Sequence, residues 1–243
     1  MIRSRGRPTL ATMTGQANPT RQALLEAAEH LFSQEGYAAV GIREIARQAG
    51  VNLAAIKYHF GSKHDLYLET VRAAMEQHGD ELMDVLADPP ADREDAAVRL
   101  VRFIYLFFDR LRDLQEVDAC GLLMIREALR PSEAIDAVVR DYLQPSTRQM
   151  TEVLTVLAPD ASEAEAERCV TSLMGQLLHY RIFRPFIERL RGVDFADGKV
   201  AAESAGQVAE FTLRGLGCEA GLIERAMKRA EAEAAAIDKG TKS

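Results

Sequence analysis

Residues 41–71 read GIREIARQAGVNLAAIKYHFGSKHDLYLETV, and this stretch decides the fold. Apolar residues recur at three- and four-residue spacing in two short runs, 42–49 and 53–59, as they do in amphipathic helices. The break Gly50-Val51-Asn52 separates them, and two short helices joined by such a turn are typical of a helix-turn-helix motif that binds DNA. The stretch therefore predicts this motif, with 53–59 as the helix that reads the bases.

The second half of the stretch, IKYHFGSKHDLY, is compatible with a metal or catalytic site, an aromatic corner of the core, or a surface that contacts nucleic acid. His59 and His64 are five residues apart, roughly 140° around a helix, and Gly61 interrupts that helix, so they cannot bind one metal as an i, i+4 pair does. Ile56 and Phe60 are four apart and are expected to point inward. No catalytic residue, metal ligand or cofactor is predicted, because no nucleophile motif, phosphate-binding glycine loop or acid-base carboxylate pair is found.

The rest of the chain has the same helical spacing and lacks alternating β-branched runs, so the predicted fold class is all-α. The first helix is expected to begin with Thr20 as its N-cap and to end at Gly36. Asp88-Pro89-Pro90 marks a linker, and Pro145 and Pro185 should kink or split the helices that contain them. Further helices are predicted at 63–86, 93–112, 120–129, 132–157, 162–190, 201–216 and up to about residue 237.

The formal net charge of −7 would by itself argue against binding to nucleic acid. The charge is unevenly distributed, however: residues 1–63 carry eight basic and four acidic side chains, a net +4, and the remainder carries −11. One end can therefore face phosphates while the acidic remainder is repelled by them.

Neither a membrane span nor the apolar core of a signal peptide is found, so we expect a soluble, cytoplasmic protein with no membrane partner. Cys120, Cys169 and Cys218 form no Cys-x-x-Cys pair. This spacing favours buried thiols over a disulfide framework, a zinc cluster or a redox sensor.

Residues 20–71 resemble the N-terminal domain of the TetR family of bacterial transcriptional regulators. The resemblance rests on ALLEAAEHLFSQEGYAAV before the opening stretch, and then on Arg-Glu-Ile-Ala, Ala-Gly-Val and His-Phe-x-x-Lys in the expected order. It implies that 52–55 lie nearest the base edges, that Tyr58 and His59 follow the DNA backbone, and that Lys63 holds a phosphate. The candidate DNA-binding residues of this domain are Arg43, Asn52, Leu53, Ala54, Ala55, Lys57, Tyr58, His59 and Lys63.

Lys57 departs from the family pattern Leu-Tyr-x-His-Phe, in which a tyrosine stands at this position. A cation replaces a phosphate-contacting phenol, so the operator contact there cannot be carried over from the family. In Arg5-Gly6-Arg7-Pro8, both arginines are further candidates: the arm either enters an A·T-rich minor groove or is a solvated basic tail. Either way, Arg5 and Arg7 add non-specific affinity that falls with salt.

The run DACGLLMIRE at 118–127 resembles the signature of one TetR subgroup, whose members are associated with genes for efflux and envelope transport. Candidate effector-binding residues lie in the middle helices, with plain core packing as the alternative. They are Phe103, Phe107, Met124, Arg126, Tyr142, His179 and Phe183. Arg126 and Glu127 are expected to form a buried ion pair or a ligand handle, and His179 is a core histidine or a ligand contact.

Residues 162–190 carry two apolar stripes, Val170-Leu173-Leu177-Tyr180 and Met174-Leu178-Ile182-Phe186, so this helix must be covered on two sides. The resemblance implies a four-helix dimer interface made with 201–216. The alternative is the central helix of a monomeric bundle. The interface residues expected in the second helix are Val208, Phe211, Thr212 and Gly215.

These observations predict a homodimeric regulator that represses a palindromic double-stranded DNA operator and is released by a small-molecule inducer. The alternatives are a non-specific architectural DNA-binding protein and an enzyme or metal protein built on a helical bundle. The predicted parts are a disordered basic arm (1–19), a helix-turn-helix DNA-binding domain (20–66), a helical effector-binding and dimerisation domain (67–237) and a disordered tail (238–243).

Overall fold

A computed structural model describes residues 18–113 and 119–240, with side chains except at 76–81, 113, 120 and 234–240. The described ranges contain helices and turns and no strand, which confirms the all-α prediction. The elements are α1 (Pro19–Glu35), α2 (Ile42–Gln48), α3 (Ala54–His59), α4 (Lys63–Asp84), α5 (Arg93–Asp113), α6 (Ala119–Leu129), α7 (Ile135–Val138), a π-helical turn (Val139–Leu143), α8 (Gln144–Leu157), α9 (Glu163–Arg191), α10 (Gly198–Gly215) and α11 (Ala220–Gly240).

The ends of α1 and α4 follow from local capping. Asn18 caps α1, because its side chain accepts hydrogen bonds from the backbone N–H groups of Thr20 and Arg21. The predicted Thr20 cap is wrong because Pro19 takes the first helical position, where its missing N–H costs nothing, and so places the cap one residue earlier. Gly36, with φ of 84°, ends α1 as predicted, since glycine tolerates positive φ.

The two prolines behave differently. The predicted helix 132–157 is divided into α7, the π-helical turn and α8, and Pro145 lies in the first turn of α8, which needs no N–H from it. Pro185 lies inside α9, which continues without a break to Arg191. Arg189 lies one turn after Pro185, and its guanidinium donates to the carbonyl oxygen of Pro185 at 2.7 Å.

Two clusters of buried apolar side chains form the core. The N-terminal cluster combines side chains of α1–α4 with Leu123 of α6 and Val138 of α7. The C-terminal cluster is built from α5 and α8–α11, with α10 and α11 packed against α5. Two helices of the central region, α6 and α7, therefore contribute buried side chains to the cluster formed by α1–α4.

Among the helices described, none combines the length and the apolar character needed to cross a bilayer.

Candidate nucleic-acid interface and effector cavity

The turn between α2 and α3 is held by its own backbone. Gly50 adopts φ of 66°, a conformation that other residues rarely take, and the next N–H, of Val51, donates to the carbonyl oxygen of Ala46 at 3.0 Å. The side chain of Asn52 accepts the N–H of Ala54 at 2.9 Å and so helps to start α3. Asn52 is one of the predicted base-reading residues, and its side-chain oxygen already accepts this hydrogen bond within the protein.

Two anchors orient α3. Ile56 and Phe60 are only 2% and 8% exposed and pack into the N-terminal cluster, as the sequence predicts. Lys57 and Tyr58 are exposed to solvent, and Tyr58, on the side opposite the two anchors, is 84% exposed. Exposed polar and aromatic side chains on a short, rigidly anchored helix form a surface suited to a DNA groove.

The other candidate DNA-binding residues differ in their exposure to solvent. Asn52, Leu53 and Ala54 are exposed at the start of α3, whereas Ala55 and His59 are half-buried. Arg43 is exposed on α2. Arg5 and Arg7 lie outside the described residues.

Lys63 is half-buried at the start of α4, and its ammonium lies over the ring of Tyr37, 4.3 Å from the centroid. Burial lowers its pKa, although Glu133 opposes this effect. The hydroxyl of Tyr37 donates to Glu133 at 2.5 Å, and burial together with this carboxylate raises the pKa of Tyr37 to about 12. Lys63 therefore contacts the junction between the DNA-binding helices and the 130–134 loop, an arrangement the sequence did not indicate.

Adjacent residues of α6 bind two DNA-binding helices. Arg126 donates to the carbonyl oxygens of Ser33, at 2.6 Å, and of Gln34 at the end of α1. Glu127, 5% exposed, accepts the hydroxyl of Tyr67 in α4 at 2.7 Å and the N–H of Ser132 at 3.1 Å. Arg126 and Glu127 are thus each bound to other partners, and the predicted ion pair between them is not formed. We call these contacts the α6 clamp.

We expect Tyr67→Phe to lower the free energy of unfolding by about 1–3 kcal/mol, because the buried Glu127 carboxylate loses one of its two donors. Burial, together with the hydrogen bond to Glu127, raises the pKa of Tyr67, so the phenol is protonated and donates at neutral pH. Urea denaturation measures the change. Tyr58→Phe removes an exposed hydroxyl and should alter stability by less than about 0.5 kcal/mol. Equal losses in the two variants would contradict the clamp.

A cavity of about 430 Å³ lies where the two core clusters meet. Its walls are mostly apolar, with a few charged side chains, as is usual for ligand pockets. The lining residues are Met75, Leu82, Phe103, Phe107, Arg110, Leu111, Met124, Glu127, Ala128, Ile135, Val138, Val139, Leu143, Met174, Leu178 and Arg181. Three of the predicted effector residues, Phe103, Phe107 and Met124, are among them.

The other predicted effector residues do not line this cavity. Arg126 points to α1, and Tyr142 packs against the N-terminal cluster. His179 and Phe183 are exposed on α9, where their rings stack at 5.1 Å, so the interpretation of His179 as a core histidine is wrong. No sequence pattern indicates Arg110 and Arg181 as cavity residues, because α5 and α9 come to line one cavity only after folding.

Large exposed apolar side chains occur on both α9 and α10. We define the α9–α10 face by Leu178, Phe183, Phe186, Leu190 and Phe211. Phe186, Leu190 and Phe211 are 70%, 88% and 62% exposed. Of the residues predicted for this face on α10, Phe211 and Gly215 are exposed, but Val208 and Thr212 are buried in the protein's own core.

No group of three histidine, cysteine or acidic side chains suited to a metal occurs within the described ranges. Cys169 is half-buried and Cys218 buried, and burial raises the pKa of the Cys218 thiol, which keeps it protonated and unreactive. The side chain of Cys120 lies outside the described residues.

Comparisons with known proteins agree with this arrangement. Residues 24–70 match the model of bacterial regulatory proteins of the tetR family, and residues 96–216 match the C-terminal domain of the HTH-type transcriptional dual regulator CecR. The chain is 30% identical to CecR of Shigella flexneri over 180 residues, which are 70% of this chain and 79% of that protein. It is 29% identical to the HTH-type transcriptional repressor NicS of Pseudomonas putida over 214 residues, covering 83% and 94% of the two chains.

Solved structures share the fold. A TetR-family transcriptional regulator from Streptomyces coelicolor superposes with a TM-score of 0.57 at 20% identity, covering 82% of this chain and 96% of that one. AmtR from Mycobacterium smegmatis gives a TM-score of 0.54 at 22% identity, covering 90% and 96%. These two structures therefore share the fold of this chain, a helix-turn-helix domain followed by a helical C-terminal domain.

Proposed function

The chain belongs to the TetR family of bacterial transcriptional regulators, and from this premise we propose that it is a ligand-responsive homodimer that represses a palindromic operator. Regulators of this family bind DNA and are not enzymes. The repressor role is supported by the NicS relative, which is named a repressor, whereas CecR is named a dual regulator.

One observation carries the DNA-binding site: α3 is anchored by Ile56 and Phe60 and turns Lys57 and Tyr58 outward. The exposed start of the helix, 52–54, is the part that enters a major groove in helix-turn-helix proteins. The small side chain of Ala54 allows the helix backbone to approach the bases closely. Lys57, one turn further along, adds a cation suited to a guanine edge or a phosphate.

The α9–α10 face supports the homodimer. Several phenylalanine and leucine side chains on adjacent helices remain uncovered in the monomer, and an apolar patch of this kind is typical of an association surface. A palindrome is read by two copies of α3 about 34–36 Å apart, and a fixed dimer sets that distance. The second copy of this chain is therefore the partner we assign to the face.

The cavity and the α6 clamp support control by a ligand. Glu127 lines the cavity and also binds Tyr67 of α4, the helix that follows α3 directly. A ligand that changes how the two core clusters meet would shift α6 and α4 together, and with them the spacing of the two α3 helices. A ligand can release the protein from DNA only to the extent that it binds one spacing of the two α3 helices more tightly than the other.

The ratio of two dissociation constants tests the proposal against non-specific architectural binding. We expect a palindromic duplex selected by the protein to bind at least about 1,000-fold more tightly than a scrambled duplex at physiological salt. An architectural protein would bind both duplexes alike, with a steep decline of both affinities as salt rises. Fluorescence anisotropy with labelled duplexes of equal length measures both constants.

A further inference from the structure

Two large apolar side chains of the cavity lining are exposed on the protein surface. Leu143 is 41% exposed and Leu178 is 43% exposed. Leu178 lies on α9 and belongs to the α9–α10 face, which the second copy of the chain covers in the proposed dimer. Leu143 lies on the π-helical turn, which packs against α7 and α8. Of these two places, the one at Leu143 therefore lies outside the face that the proposed dimer uses.

The π-helical turn also lines a second space, a groove of about 1010 Å³. The other walls of this groove are the Pro89-Pro90 linker, α8 and the start of α9. Gln144 and Thr147 of its lining are exposed, so the groove is open to solvent. Val139 and Leu143 line both the groove and the cavity, and no other described residue does so. These two side chains are therefore the partition between the groove and the cavity.

The backbone that carries both side chains is irregular. The N–H of Gln144 donates to the carbonyl oxygen of Val139, five residues earlier, whereas an α-helix joins residues four apart. Pro145 follows and has no N–H that could bind the carbonyl oxygen of Asp141. The regular hydrogen-bond pattern of an α-helix is thus interrupted where the groove meets the cavity. A π-helical turn within a helix is frequently found at a functional site.

We propose that Val139 and Leu143 form a gate through which the effector enters the cavity, and that they determine the cross-section of the compounds admitted. The effector passes from the groove between the two side chains when the π-helical turn is displaced. Association is then slower than diffusion allows, because it requires this local movement. This inference rests on the proposed function, because it takes the cavity to be the effector site and the α9–α10 face to be covered in the dimer.

Stopped-flow fluorescence with N-phenylnaphthylamine tests the gate in the full chain. This aromatic probe emits more strongly in apolar surroundings, and it is uncharged, so its binding does not require ion pairing with the charged side chains of the cavity. Leu143→Ala should raise the rate constants of association and dissociation at least about fivefold, because a wider gate eases passage in both directions. The dissociation constant should change less than about threefold, since only one wall side chain is shortened.

Leu143→Trp should act in the opposite direction and lower both rate constants at least about tenfold, because the larger ring narrows the gate. Met174→Ala is the control, since Met174 lines the cavity but not the groove. It should raise the dissociation rate constant and leave the association rate constant within about twofold. Circular dichroism establishes that each variant is folded, and either Leu143 variant is informative without the other.

Leu178→Trp tests the competing route through the α9 side, because Leu178 also lines the cavity and is exposed to a similar extent. We expect it to leave the association rate constant within about twofold. If it slowed association while Leu143→Trp did not, the probe would enter beside α9 and the gate would be overturned. Leu143 variants that altered only the dissociation rate constant would make Leu143 a wall residue and would overturn the gate as well.

Failure of the gate and failure of the proposed function are distinguishable. Unchanged rate constants in both Leu143 variants would overturn the gate and leave the ligand-responsive repressor standing. If the probe did not bind to the protein, both the gate and the cavity as a site for apolar effectors would be contradicted. A protein without operator preference would instead fail the comparison of selected and scrambled duplexes, with no change in the kinetics of the probe.

Discussion

Lys57→Glu should weaken binding to the selected operator by about 100-fold or more, and Lys57→Ala by about tenfold. Lys57 is exposed on α3, next to the buried Ile56 and Phe60. A contact to a base or phosphate at this position contributes about 1–3 kcal/mol, and the reversed charge adds repulsion from the phosphates. Anisotropy titrations at one fixed salt concentration give the dissociation constants.

Lys199→Glu provides the matched control, because it makes the same change in net charge on α10, where the lysine side chain is 81% exposed. We expect less than a threefold effect on operator affinity. If the two charge reversals weakened binding equally, only the overall charge of the protein would matter, and α3 would lose its assignment as the reading helix.

Phe186→Glu should convert the proposed dimer to a monomer at micromolar concentration and reduce operator affinity by more than about 100-fold. Phe186 is 70% exposed in the single chain and lies on the α9–α10 face beside Phe183, with ring centroids 6.0 Å apart. Dimerisation would bury the new carboxylate without a partner, at a cost of several kcal/mol. Sedimentation velocity measures the assembly state.

Leu129→Glu serves as its control. Leu129 is 77% exposed at the end of α6, a helix that packs against α1 and α4, so the same substitution should leave the proposed dimer intact. A Phe186→Glu protein that remains dimeric would contradict the assignment of this face. A monomer that kept full operator affinity would contradict the role of the dimer in reading both half-sites.

The DNA-binding half could be predicted closely because its signals are local. Each signal acts within a few residues: a glycine at the turn, two apolar residues four apart, and a serine before α4. Ser62 indeed caps α4, because its hydroxyl oxygen accepts the Asp65 N–H at 3.0 Å. Lys63 differs, because its position depends on Tyr37 and Glu133, which are distant in sequence. Local spacing gives no information on such contacts.

The effector half was less predictable for the same reason. Consecutive residues of a helix point about 100° apart, so Arg126 and Glu127 reach different partners, although their adjacency suggested a pair. His179 and Phe183 have the apolar neighbours expected of a core, but a helix with two apolar stripes does not reveal which one its own bundle covers. The cavity depends on how two clusters meet, which no single stripe encodes.

Sequencing the DNA that the full-length protein retains from a random pool tests the central claim most directly. We predict an enriched palindrome whose two half-sites lie about one helical turn apart, centre to centre, or a multiple of it. Lys57→Ala should change the preferred bases within each half-site, because Lys57 lies on the exposed side of α3. Enrichment of no sequence, or of a single half-site without a symmetric partner, would contradict a dimeric operator-binding repressor.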